Sequence, residues 1–182
     1  MTPILETERL ILRPLSLLHA SEEYVAWMND HEVNKYLESG GDYTLQKLKE
    51  FLHEVEKKDI LFWAIHIKKN DKHIGNIKID PISKKHLFAE YGIMMGDKSE
   101  WGKGYAYEAS KAVIDYCFFG KLNLRKINLG VQYKNKGAIA LYHKIGFKIE
   151  GRFINHVITS EGFDDILRMA IFNPKTDKMI NC

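Results

Sequence analysis

The spacing of apolar side chains changes period several times along this chain, and each change marks a predicted element. Residues 10–15, LILRPL, form a short apolar run that Pro14 ends or places at an edge. Over residues 16–28, Leu17, Tyr24, Trp27 and Met28 recur at helical spacing before the breaker Asn29-Asp30. A helical turn over 32–37 leads into Gly40-Gly41, a flexible corner. Thr44 then offers an N-cap for an amphipathic helix to about Lys58, with Leu45, Leu48, Phe51, Leu52 and Val55 on one stripe. The middle of the chain reads as strand. Residues 61–68 and 72–80 flank Asn70-Asp71 as a hairpin, and a third strand over 87–95 follows a turn over 81–86. A glycine-rich loop precedes a helix over 105–119, whose apolar stripe is Ala109, Ala112, Val113 and Tyr116. Strand 127–132, helix 137–145, strand 147–153 and strand 165–172 complete the pattern. Hairpins followed by strand-helix-strand crossovers require an α+β fold with a mixed sheet. No repeat or low-complexity tract divides the chain, so one domain over residues 1–182, with its core at about 4–173, is expected.

The most informative stretch is a strand, then Trp101-Gly102-Lys103-Gly104-Tyr105-Ala106, then a helix. Two glycines let the backbone turn tightly and approach a bulky anion, and the unpaired N–H groups of the helix's first turn face it. Lys103 adds a point charge. The loop is neither a Walker-type phosphate loop nor a dinucleotide fingerprint, since it lacks the lysine-hydroxyl pair of one and the third glycine of the other. Taken alone, it reads equally well as an ordinary tight turn. The second constellation runs from Asn135 to Phe147, NKGAIALYHKIGF, with Asn135 as cap and Gly146 as stop. Tyr142 shares a helical face with Ala138, Leu141 and Ile145, and taken alone it reads as a core tyrosine needing a partner for its hydroxyl.

Together, in this order, the two motifs resemble those of the GNAT family of N-acetyltransferases. The opening ETERLILRP and the segment from Asn29 to Val33 resemble its branch of ribosomal-protein N-terminal acetyltransferases, some relatives of which acetylate amino sugars or polyamines. The resemblance implies a twisted, mostly antiparallel sheet of about seven strands flanked by helices, with a splay between two central parallel strands. It implies acetyl-CoA as acyl donor. Its diphosphate would be held by backbone amides from Trp101 to Ala106, and its pantetheine arm by Asn135 and the open backbone of the strand over 87–95. Tyr142 would sit near the sulfur. Trp101 stands where many members carry Gln or Arg, and Ala138 where Ser is common, so those side-chain contacts are missing.

The chemistry then assigns roles. Backbone N–H groups of Ile93, Met94 and Met95 are candidates to stabilise the oxyanion, and Tyr142 to protonate the departing thiolate. Direct attack by the amine requires no acylated enzyme. Glu90 is the leading candidate for general base because it lies in the same strand, with a solvent-facing position or pairing to a nearby lysine as its ordinary alternative. His156 and Asp164 read as ordinary polar residues beside the acceptor cleft that the family implies, and His143 as solvated. Asp30, Glu32, Glu38 and Asp42, with Trp27, Tyr36 and Tyr43, could receive a cationic amine or simply form a solvated corner over the core. Lys35 and Arg152 are candidate rim cations for a nucleotide-linked amino sugar.

Composition removes other classes. Twenty-seven basic against 24 acidic residues leave a net charge of +3, too little to point to nucleic acid. Two cysteines, Cys117 and Cys182, build neither a disulfide framework nor a zinc site. The start lacks the pattern of a signal peptide, and no apolar run reaches the roughly 20 residues that span a bilayer. A cytoplasmic enzyme, monomeric or homodimeric, with acetyl-CoA and an amine acceptor as partners and with no metal, membrane or nucleic acid, is the expectation. The rival is a non-catalytic acetyl-CoA-binding module.

Overall fold

The computed structural model describes residues 2–38 and 40–176. Its strands are β1 (Leu5–Glu6), β2 (Leu10–Pro14), β3 (Leu61–Ile67), β4 (Lys72–Ser83), β5 (Phe88–Met95), β6 (Lys126–Gln132), β7 (Lys148–Thr159) and β8 (Gly162–Phe172). Its helices are α1 (Glu22–Asn29), α2 (His31–Asn34), α3 (Leu45–Lys57), α4 (Tyr105–Phe119) and α5 (Lys136–Ile145). The strands hydrogen-bond in the order β1-β2-β3-β4-β5-β6-β8-β7, an eight-stranded mixed sheet that is mostly antiparallel. The described residues form two compact units: residues up to Asp80 with Gly92–Ala112, and Pro81–Tyr91 with the chain from Val113 onward.

In the first unit β1, β2, β3 and β4 form an antiparallel meander, with Leu10, Leu12, Trp63, Ile65, Ile77 and Ile79 fully buried. The β3–β4 hairpin turns where Asp71 takes φ 57, and the Arg13 guanidinium holds its carboxylate at 2.5 Å. Thr44 caps α3 by accepting from the Lys47 amide, and Leu48, Leu52 and Val55 are the residues the helix buries. The expected helix over 16–28 is broken. A 3-10 turn covers Leu17–His19, and the chain restarts at Ser21, which is extended and accepts from the Tyr24 amide as the cap of α1. A serine that can satisfy an orphan N–H favours that restart over continuing the helix.

In the second unit β5 and β6 pair in parallel over Phe88–Glu90 and Lys126–Asn128, and β6-β8-β7 is antiparallel. Ile127, Leu129, Phe147 and Met169 are buried, and the fully buried Asn173 amide donates to the Phe118 and Leu124 carbonyls. Asn135 caps α5 and Gly146 ends it at φ 117, a left-handed conformation that suits glycine. Several strand bounds differ from expectation, and β8 starts at Gly162 instead of residue 165. β4 runs through Pro81 to Ser83, because proline removes one donor without forbidding extended backbone. β7 extends to Thr159, with a register shift between Phe153 and Val157 where Asn155 takes φ 50. The two-residue β1 is too short to leave a period. α4 also buries more than its expected stripe: Ile114, Cys117 and Phe118 are buried beside Ala109 and Val113. Burial pushes the free Cys117 thiol up to about 12, so it is inert, and Cys182 lies outside the described residues. Among the described residues no helix is long and apolar enough to cross a membrane.

Candidate active site

The loop before α4 lies in the first unit and is tied down along its length. Gly96 N–H donates to the Ile74 carbonyl at 3.0 Å, and Lys72 pairs with Asp97 at 2.5 Å. A 3-10 turn over Lys98–Glu100 follows, and the Trp101 indole N–H donates to the Met95 carbonyl at 2.9 Å. Gly102 and Gly104 take φ 76 and 84, so the chain reverses into the first turn of α4. A Cβ at Gly102 would meet nothing within 4 Å, so the outer face of the loop is open. The loop thus runs through two left-handed glycines into a 15-residue helix, whose first-turn N–H groups have no partner within the helix. Lys103 contributes less charge than expected, because its ammonium pairs with Glu100 at 2.9 Å. Tyr105 and Ala106 are half-buried, and the Ala106 carbonyl accepts from Ser110.

A brace at this loop has no signature in the two sequence motifs. The Arg9 guanidinium pairs through Nε with Glu108 at 2.6 Å, donates to the Lys103 carbonyl at 2.9 Å and stacks 4.6 Å over the Tyr105 ring. Glu108 also accepts from the Thr7 hydroxyl at 2.6 Å and the Arg9 amide at 2.8 Å. Burial works against the Glu108 charge, but these donors outweigh it and hold the carboxyl below its usual range. Arg9 stood out in the sequence only as part of the opening ETERLILRP; its distance from the loop hid its role.

Of the three strand residues proposed for the oxyanion, Met94 turns its carbonyl toward β4, where a Cβ on Gly75 would come within 2.4 Å of it. A residue's N–H and C=O point to the same side of a strand, so Ile93 and Met95 present their N–H groups to the other side.

Tyr142 lies in the second unit. Its ring is 7% exposed and packs edge-on against Tyr91 and Phe147, with centroids 5.9 and 5.8 Å away. Its hydroxyl has no hydrogen-bond partner among the described residues. Burial pushes it up to about 12, so it stays protonated throughout the working range. Asn135 spends its side-chain oxygen on the Ala138 amide at 3.1 Å, which leaves its NH₂ group for other contacts.

Glu90 is not a free carboxylate. Arg168 on β8 pairs with it at 2.5 Å, reaching past Gly130 on β6, where a Cβ would stand 3.1 Å from the Arg168 guanidinium. Asp164 is buried and accepts from the Lys134 and Asp165 amides, a structural role, while His143 and His156 are exposed. The acidic corner is partly paired: Lys98 is shared by Asp30 at 2.6 Å and Glu32 at 2.7 Å, Lys47 pairs with Asp42, and Trp27 and Tyr43 pack on the core. Arg152 pairs with Asp165 and lies 4.5 Å over the Tyr133 ring, which Lys136 also approaches at 3.5 Å.

The family described as Acetyltransferase (GNAT) domain matches residues 9–148. The uncharacterized N-acetyltransferase p20 of Bacillus licheniformis is 32% identical over 151 residues, 81% of this chain and 83% of that protein. The spermidine N(1)-acetyltransferase of Escherichia coli (strain K12) is 35% identical over 98 residues, 54% of this chain and 52% of that protein. Among solved structures, a spermidine N-acetyltransferase from Vibrio cholerae in complex with CoA and spermine superposes with TM-score 0.82 at 25% identity, covering 93% of this chain and 98% of that one. An acetyltransferase (GNAT family) from Bacillus anthracis gives TM-score 0.82 at 22% identity over 94% and 99%.

Proposed function

From the premise that this chain belongs to the GNAT family of acetyltransferases, we propose that it transfers the acetyl group of acetyl-CoA to a primary amine by direct attack, the acceptor being a peptide α-amine or another small amine. The coenzyme supplies an activated thioester. The chain's residues do the rest. Amides from Gly102 to Ala106 receive the diphosphate, and the open, positive-φ loop is the observation that carries the reading. The N–H groups of Ile93 and Met95 face the developing oxyanion, and the Asn135 NH₂ group meets the pantetheine arm. Tyr142, protonated and without a protein partner, donates to the departing sulfur.

Glu90 is held by Arg168, so the reading gives deprotonation of the acceptor to solvent and gives the Glu90–Arg168 pair the role of fixed charges. That favours an amine with an appreciable neutral fraction. A peptide α-amine, with a pKa of about 8, has roughly a hundredfold more neutral form near pH 7 than a lysine-like amine at about 10.4. Polyamine acceptors belong to the spermidine acetyltransferase relatives. Here Lys98, shared by Asp30 and Glu32, and Lys47 on Asp42 compensate part of the acidic corner's charge, which weakens it as a counter-charge for a polyamine. The Lys136–Tyr133–Arg152 stack supports a second reading, an anionic acceptor such as a nucleotide-linked amino sugar. An acceptor screen followed by free-thiol release, with peptides, polyamines and amino-sugar nucleotides, tests both. Turnover restricted to polyamines would narrow the acceptor to that class of small amine and overturn the peptide and amino-sugar readings, and acetyl-CoA binding without turnover on any amine would leave a binding module.

A further inference from the structure

Trp101 gives the candidate diphosphate loop no cationic side chain at its first position, and Lys103 is paired with Glu100. The charge nearest the loop's glycines comes from elsewhere in the chain. Arg9, in the turn between β1 and β2, uses Nε on Glu108 and one terminal nitrogen on the Lys103 carbonyl. Its second terminal nitrogen, Nη2, lies 3.4 Å from where a Cβ on Gly104 would stand. The Arg9 side chain is 44% exposed, and among the described residues no protein acceptor engages Nη2. A guanidinium fork anchored on one side and open on the other presents a fixed N–H to an anion, without the entropy a free lysine would lose.

We propose that Arg9 is a cofactor-binding residue, its Nη2 donating to the diphosphate of coenzyme A at Gly104 while Nε and Nη1 hold the loop in shape. Glu108 engages Nε at 2.6 Å and fixes the plane of the fork, leaving Nη2 without a protein acceptor among the described residues. Glycine at 104 is required for φ 84, and a Cβ there would stand in ordinary contact with the guanidinium.

The inference rests on the loop reading of the preceding subsection, and the test separates the two. Equilibrium binding of coenzyme A and of pantetheine, which lacks the phosphates, is measured by calorimetry for the parent, Arg9→Ala, Arg9→Lys and Gly104→Val, with thermal melts alongside. Turnover is compared with acetyl-CoA and S-acetylpantetheine. Arg9→Ala is expected to raise the coenzyme A Kd by about tenfold or more, the weight of one charge-assisted hydrogen bond, with the pantetheine Kd changed far less. The ratio of kcat/KM for the two donors falls by the same factor. Arg9→Lys, which keeps charge and loses the fork, gives a smaller fall with the same donor preference and serves if the alanine variant does not fold. Equal losses with both donors, or none with coenzyme A, would overturn the role of Arg9. If Gly104→Val also fails to discriminate between the donors, the loop reading itself falls; if it discriminates while the Arg9 variants do not, only Arg9 does.

Discussion

Replacing Tyr142 with Phe separates a chemical role from a packing role, because the structure assigns them to different atoms. The ring supplies the packing: it is 7% exposed and meets Tyr91 and Phe147, and phenylalanine keeps all of that. The hydroxyl has no hydrogen-bond partner among the described residues, so its removal strands no buried donor or acceptor. Stability should change by less than about 0.5 kcal/mol, which urea melts would read. A general acid contributes roughly 10²–10⁴ in rate. Burial raises this hydroxyl to about 12, whereas a thiol like the leaving group titrates near 8.5, so the transfer is uphill and the lower end of that range applies. The expected result is a kcat about a hundredfold lower, near 3 kcal/mol of barrier, with the coenzyme A Kd unchanged. The assay is thiol release at saturating donor and acceptor. A stability loss above about 1 kcal/mol with kcat intact would show that Tyr142 is structural and refute the reasoning.

Glu90→Gln should lower kcat/KM by less than about tenfold and leave its rise with pH in place, because the carboxylate is held by Arg168; loss of that rise would restore Glu90 as general base. Trp101→Phe removes the tie to the Met95 carbonyl and should raise the acetyl-CoA KM by about tenfold with little change in kcat. Gly96→Val would drive a Cβ to 2.1 Å from the Trp27 ring, and an overpacking loss of about 1–3 kcal/mol in urea melts is expected. Burial depresses His73 to about 4 within a cluster that includes His19, His66 and Trp27. The unfolded chain therefore binds more protons between about pH 6.5 and 4, so stability is full above that window and falls as pH drops through it, by up to about 3 kcal/mol. His73→Gln should flatten that slope.

Much of the architecture was legible in the sequence because it rests on local rules. Thr44 and Asn135 cap the helices they were expected to cap, Gly146 stops α5, and the bounds of α4 match, since each depends on residues within one turn. Propensity failed where a local hydrogen bond competed with period, as at Ser21, or where a strand was too short or irregular to leave one, as at β1 and the Asn155 bend of β7. At the candidate site the split is sharper. Glycines at 102 and 104 and the tyrosine at 142 are marked only by the resemblance of their two motifs, together, to those of the family. The residues that decide their electrostatics come from distant segments: Arg9 at the loop, Arg168 on Glu90 and Lys98 on Asp30 and Glu32. Nothing in a hydrophobic pattern registers which charges will meet.

A structure determined with coenzyme A bound gives the most direct test of the central claim. The account predicts the diphosphate against the amides of Gly102 to Ala106. Phosphates seated elsewhere, with that helix start left bare, would contradict it.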